Sequence, residues 1–75
     1  MPRYDRPEAT VLEVADAILR LVKSKPVTLL NLKDHLLPQY LPNKIVTGTV
    51  FNKAVADLVR RGKIVKNPEG RYQPK

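Results

Sequence analysis

Seventy-five residues without a cysteine make one small domain that must fold without disulfides or a thiolate zinc site. The apolar runs are only a few residues long and no charged-then-apolar leader opens the chain, so neither membrane insertion nor export is expected. The net charge of +7 is segregated: residues 1–39 hold six Lys/Arg against five Asp/Glu, residues 40–75 eight against two.

Residues 1–6 (M-P-R-Y-D-R) read as a flexible arm with little to order it. Asp5 stands three before Glu8, a capping-box spacing, and Pro7 would sit in a first turn where its missing N–H costs nothing. Val11, Val14, Ala15, Ile18, Leu21 and Val22 then recur at steps of three and four, with Leu12 and Leu19 widening the buried face, which predicts helix 1 from Pro7 to Lys23. Lys23 and Lys25 complement the carbonyl end of its dipole. Pro26 stops it.

Val27-Thr28-Leu29 is β-prone but short, and is expected to pair with a later hairpin. Helix 2 is predicted from Leu30 to Leu37, with Leu29, Leu32 and Leu36 inward. Pro38 and Pro42 are expected to end helical structure there. The linker to helix 3 is therefore longer than the turn of a tight helix-turn-helix.

Thr47 can cap helix 3. Phe51, Ala54, Val55 and Leu58 fall on one stripe with Val59 at its edge, and Thr49, Lys53, Ala56 and Arg60 form the opposite one. Gly62, after Arg60-Arg61, fits the left-handed residue that closes a helix. Lys63–Lys66 reads as a strand, Asn67-Pro68-Glu69-Gly70 as a type I turn, and Arg71–Gln73 as the returning strand. Ile64 and Tyr72 should face the core, leaving Lys66 and Arg71 near the tip. A three-helix cluster backed by a small sheet buries all these stripes together, so the fold class is α+β, mainly helical.

T-V-F-N-K-A-V-A-D-L-V-R-R-G-K-I-V (49–65) resembles the recognition helix and following strand of many winged helix-turn-helix regulators. P-V-T-L-L-N-L-K-D-H-L (26–36) is similar to their short first strand and second helix, and N-P-E-G-R-Y-Q-P (67–74) to their wing and returning strand. Linker histone globular domains share the pattern of helix, long loop, helix and basic hairpin, but the resemblance is to the superfamily and assigns no family within it. It covers residues 8–74 and implies a single winged-helix domain over 7–75, behind the arm at 1–6. It also implies that helix 3 enters the major groove while the wing lies over the adjacent backbone or minor groove. The long 38–46 loop departs from the commonest bacterial pattern and leaves the angle of helix 3 open.

On that frame, Thr47, Thr49, Asn52 and Lys53 are candidates to reach base edges: Asn pairs with adenine, Thr touches a thymine methyl and Lys favours guanine. Arg60 is on the same face, and Ala56 would let the helix sit close. Lys44, Arg60, Arg61, Lys63, Lys66 and Arg71 are candidates to hold phosphates, which position without reading sequence. The alternative for Arg61 is an ion pair with Asp57, one helical turn earlier. Arg3 and Arg6 flank Tyr4 and could enter a minor groove; a disordered terminus is the alternative.

His35 is the only histidine and Ser24 the only serine. No second metal ligand of the His/Cys type, nucleophile setting or phosphate-cradling glycine loop accompanies them, so a non-enzyme without cofactor or metal is expected. The expected partner is double-stranded DNA, bound in the nucleoid or nucleus by a monomer or weak homo-oligomer. A second reading is a winged-helix domain of a larger nucleic-acid-processing complex that meets an acidic protein, through Leu37, Tyr40, Leu41, Ile45 and Val46 if these are exposed together; the alternative, and the expected one, is that they fold back over helices 2 and 3. Four aromatics give no stacking platform for single strands.

Overall fold

The structure, a computed structural model, describes residues 7–75. The chain enters extended. Ala9 N–H donates to the Ile45 carbonyl (2.8 Å) and Ile45 N–H to the Pro7 carbonyl (2.9 Å), a single parallel bridge that ties the entry to a distant loop. With the backbone of 7–9 used in this way, helix α1 begins later than the sequence suggests, at Val11–Ser24. Its capping box is Thr10 and Glu13: Glu13 N–H donates to Thr10 Oγ1 (3.1 Å) and Thr10 N–H to Glu13 Oε1 (2.9 Å). The start predicted at Pro7 is thereby corrected; Asp5 lies outside the described residues.

Lys25 is extended (φ −167°, ψ 156°), the conformation that a following proline enforces. The expected strand at 27–29 contracts to one residue. Val27 and Tyr72 exchange two backbone bonds, while Thr28 already caps the next helix, its Oγ1 accepting from Asn31 N–H at 3.2 Å.

Helix α2 runs without a break over residues 29–40, through Pro38, as an α turn at Leu29–Asn31, a π-helical stretch at Leu32–Leu36 and a last α turn at Leu37–Tyr40. Pro38 therefore does not end the helix. In an unbroken α-helix its ring would press on the carbonyl four residues back and forfeit a bond. Here the turn ahead of it widens, Leu37 N–H reaching the Leu32 carbonyl five residues back, and Pro38 falls in the first positions of the last turn. The extra residue rotates that last turn by about 100°. Leu37 thus joins Leu32 in the core, while Leu29 and Leu36, predicted inward, are half-buried. Leu41, ahead of Pro42, leaves helical geometry (φ −122°, ψ 66°).

Helix α3 spans Gly48–Arg60, and Thr47 Oγ1 accepts from Val50 N–H at 3.2 Å. Phe51, Ala54, Val55 and Leu58 are buried; Val59 is 46 % exposed and lies outside the core. At the far end Gly62 adopts φ +72°, its N–H donating to the Val59 carbonyl and Lys63 N–H to that of Leu58. Both bonds of a Schellman closure are present. Strands β1 (Ile64–Lys66) and β2 (Tyr72–Pro74) pair antiparallel, Ile64 opposite Pro74, Val65 opposite Gln73 and Lys66 opposite Tyr72. Asn67 builds the turn: its carbonyl accepts from Gly70 N–H, its Oδ1 from Glu69 and Arg71 N–H, each at 2.9 Å.

The fold is α+β and mainly helical, three helices with a two-strand antiparallel sheet. Helix α1 is its spine. It packs against α3, β2 and the last turn of α2, burying Val14, Ile18 and Val22 with Leu32, Leu37, Phe51 and Ile64. Tyr72 packs half-buried against this core.

Candidate nucleic-acid interface

Because one side of α3 is committed to the core, its other side is fixed. Thr49, Asn52, Lys53, Ala56 and Arg60 are all exposed. Thr47 is half-buried and its hydroxyl is engaged as the helix cap, so it serves α3 before it can serve a ligand. Among the described residues no carboxylate lies within ion-pair distance of Lys53, Lys63, Lys66 or Arg71. These four present undiminished charge.

Arg60 and Arg61 are arranged differently. Both turn back to Asp57, with Arg60 Nη2 at 2.9 Å and Arg61 Nε at 3.2 Å from the same carboxylate oxygen. The Asp57 side chain is only 14 % exposed, beneath two guanidinium groups that remain mostly in solvent. Spacing points to Arg61 as a partner of Asp57; the structure adds Arg60. The trio leaves one net positive charge at the end of α3, with guanidinium N–H groups still facing outward. Held this way, the two arginines surrender less rotamer freedom to an incoming anion than free side chains would.

Lys44 sits on the linker with its Nζ 3.1 Å from Glu13 Oε2. The Glu13 carboxyl titrates below its ordinary range, first because Thr10 N–H donates to it and then because Lys44 stands beside it. Lys44 therefore staples the linker to the start of α1, and its charge is half spoken for. Further along α1, Asp16, 3.0 Å away, and then Tyr40 raise the pKa of Arg20.

Three hollows, two of them adjoining, sort the cations. Lys53, Arg60 and Arg61 surround one of about 430 Å³ with Val11, Leu12 and Ala56. Lys63 joins Arg61 at an adjoining hollow of about 200 Å³. Arg71 instead lines a hollow of about 270 Å³ with Lys25, Thr28 and Asn31 at the start of α2. Lys66 belongs to none of these. Arg3 and Arg6 lie outside the described residues.

Two cations beside these groups are not signalled by the sequence. Lys25 reads there only as a helix-end charge, yet it meets Arg71. Lys33 lines a fourth hollow, of about 200 Å³, with Lys44, and its Nζ lies 3.8 Å from where a Cβ on Gly48 would be, at the first turn of α3. No periodicity announces either meeting; the first follows the pairing of Val27 with Tyr72, the second the placing of α2 against the start of α3.

The five apolar residues expected around the loop are not exposed together. Leu37 is fully buried and Leu41 and Val46 pack on the core, which leaves Tyr40 (42 %) and Ile45 (36 %) toward solvent. No protein-family model, no curated protein and no solved structure matches this chain.

Proposed function

We propose that the chain is a winged-helix protein that binds double-stranded DNA with modest or little sequence preference, as a small transcriptional regulator or an architectural accessory factor. The observation that carries this reading is the outer face of α3. There an unpaired Lys53 stands among exposed Thr49, Asn52 and Ala56, and the helix ends in the Arg60–Asp57–Arg61 cluster. Such a face suits a major groove: Ala56 permits close approach, Asn52 and Lys53 can address base edges, and Arg60 and Arg61 meet phosphates.

The hairpin supports the same reading. Val27 bonds to the free edge of β2, giving the order Val27, β2, β1 across the small sheet. Lys66 and Arg71 flank the turn and are exposed, which suits clamping backbone more than reading bases. Few side chains can reach base edges, and hence sequence preference should be shallow.

The test is fluorescence anisotropy of a random duplex of about 20–25 base pairs across a salt series. Affinity should fall steeply with salt, because each phosphate neutralised releases counterions. An absence of binding at low salt would dismiss the proposal.

A further inference from the structure

Leu12, expected to widen the buried face of α1, is instead 70 % exposed, the most exposed large apolar side chain among the described residues. Two hollows meet at it. The one of about 430 Å³ has Val11, Leu12 and Ala56 among its walls, and the one of about 200 Å³ has Leu12, Ala15, Leu19 and Leu58. They share Leu12, Asp57 and Arg61, and so form one trough along the seam between α1 and α3. Its floor is apolar and its α3 side is rimmed by Lys53, Arg60, Arg61 and Lys63.

The acids of the trough are already occupied. Asp57 is held by Arg60 and Arg61, and Asp16 by Arg20 at 3.0 Å. What remains facing outward is apolar surface beside an excess of positive charge. Nucleic acid would answer the cations but leave Leu12 in water. A second copy of this chain would bring +7 against +7, and the chain's own residues 1–6 carry two arginines against one aspartate. Each is the wrong sign. An acidic segment with apolar residues one helical turn apart satisfies both surfaces, in the manner of a helix laid in a groove.

We propose that the trough between α1 and α3 docks an acidic amphipathic segment of a partner protein, with Leu12 as the apolar anchor and Lys53, Arg60, Arg61 and Lys63 setting the charge register. Docking itself stands apart from the DNA-binding proposal. Its regulatory consequence rests on that proposal: Lys53 and Arg60 belong to both surfaces, so the acidic segment and the duplex compete.

The probes are two fluorescein-labelled helical peptides of equal negative charge, one carrying leucines at i, i+4 and i+7 among glutamates, the other alanines at those positions. At ~150 mM salt, where charge attraction alone is well screened, the leucine peptide should bind the full chain about tenfold more tightly, from buried apolar area. Leu12→Gln should erase that difference while leaving duplex affinity and the thermal midpoint unchanged. Lys63→Glu should weaken both peptides. Amide shifts in Ala15 and Ala56 on adding the leucine peptide to the unaltered chain would place it without any variant. Equal binding of the two peptides, shifts confined elsewhere, or a Leu12-dependent dimer of this chain in sedimentation would overturn docking. Leucine-peptide binding without duplex binding would leave docking standing and remove the DNA reading; duplex binding with indifferent peptides would do the reverse.

Discussion

Val27 and Tyr72 hold each other by both backbone groups: Tyr72 N–H donates to the Val27 carbonyl at 2.6 Å, and Val27 N–H donates back at 3.0 Å. The residue between α1 and α2 is thereby fastened to the returning strand of the hairpin. Val27 is also buried, so the link combines hydrogen bonding with packing. A short two-strand hairpin is marginal alone; this third contact, with Ile64 buried beneath, gives it a base from which Lys66 and Arg71 project.

Lys53→Ala should weaken duplex binding about fivefold to tenfold, within the range of a single lost base or phosphate contact. The thermal midpoint should not move, because Lys53 is exposed and unpaired. Anisotropy and a melting curve on the same preparation check both halves. Unchanged affinity would remove α3 from the interface.

Reversing both wing cations (Lys66→Glu with Arg71→Glu) should weaken binding to all duplexes alike and lower the salt slope by about two. Anisotropy on several unrelated duplexes at varied salt measures this. Loss on one sequence only would make the hairpin a reader.

Phe51→Ala should cost about 3–5 kcal/mol, the usual range for truncating a buried Phe. Its side chain is nearly fully buried where α3 meets the core. A shift of the urea midpoint reports it; a change under about 1 kcal/mol would mean that α3 is not seated as described.

Acid should loosen the entry of α1. Glu13 titrates below its ordinary 4.5 in the folded chain, so its contribution is fully present above that value and is lost as pH falls through the lower, folded value. Thr10 N–H is the larger cause and Lys44 the next. Melting curves from neutral pH down past 4.5 should show a decline that Glu13→Gln, which keeps an acceptor for Thr10 N–H but no charge, makes shallower. Identical declines in both proteins would place the acid sensitivity elsewhere.

Local chemistry makes α3 and the hairpin readable. The Thr47 cap, the stripe of Phe51, Ala54, Val55 and Leu58, the left-handed Gly62 and the Asn67–Gly70 turn each depend on residues within a few positions of one another. The features that sequence does not show depend on distant chain. D-R-P-E and T-V-L-E offer the same capping spacing, and Ile45 decides between them by engaging the backbone of 7–9. The π-helical stretch ahead of Pro38 exchanges Leu36 for Leu37 in the core, a one-residue change of phase that a regular 3.6 period cannot show. At the candidate face, the exposure of Lys53 follows from periodicity, whereas the capture of Lys44 by Glu13 depends on where the linker crosses α1.

At the joint between α3 and β1 no residue is spare. The N–H groups of Arg61, Gly62 and Lys63 all go to carbonyls of the last turn of α3, and β1 begins at the next residue. Helix and hairpin thus meet as two arms of a rigid elbow, whose angle is set by the positive φ of one glycine. Substitutions along the surface of α3 leave that angle alone. A single residue inserted at 61–63 would swing Lys66 and Arg71 about the helix axis. Spacing at this elbow therefore sets where the hairpin cations stand relative to the helix face.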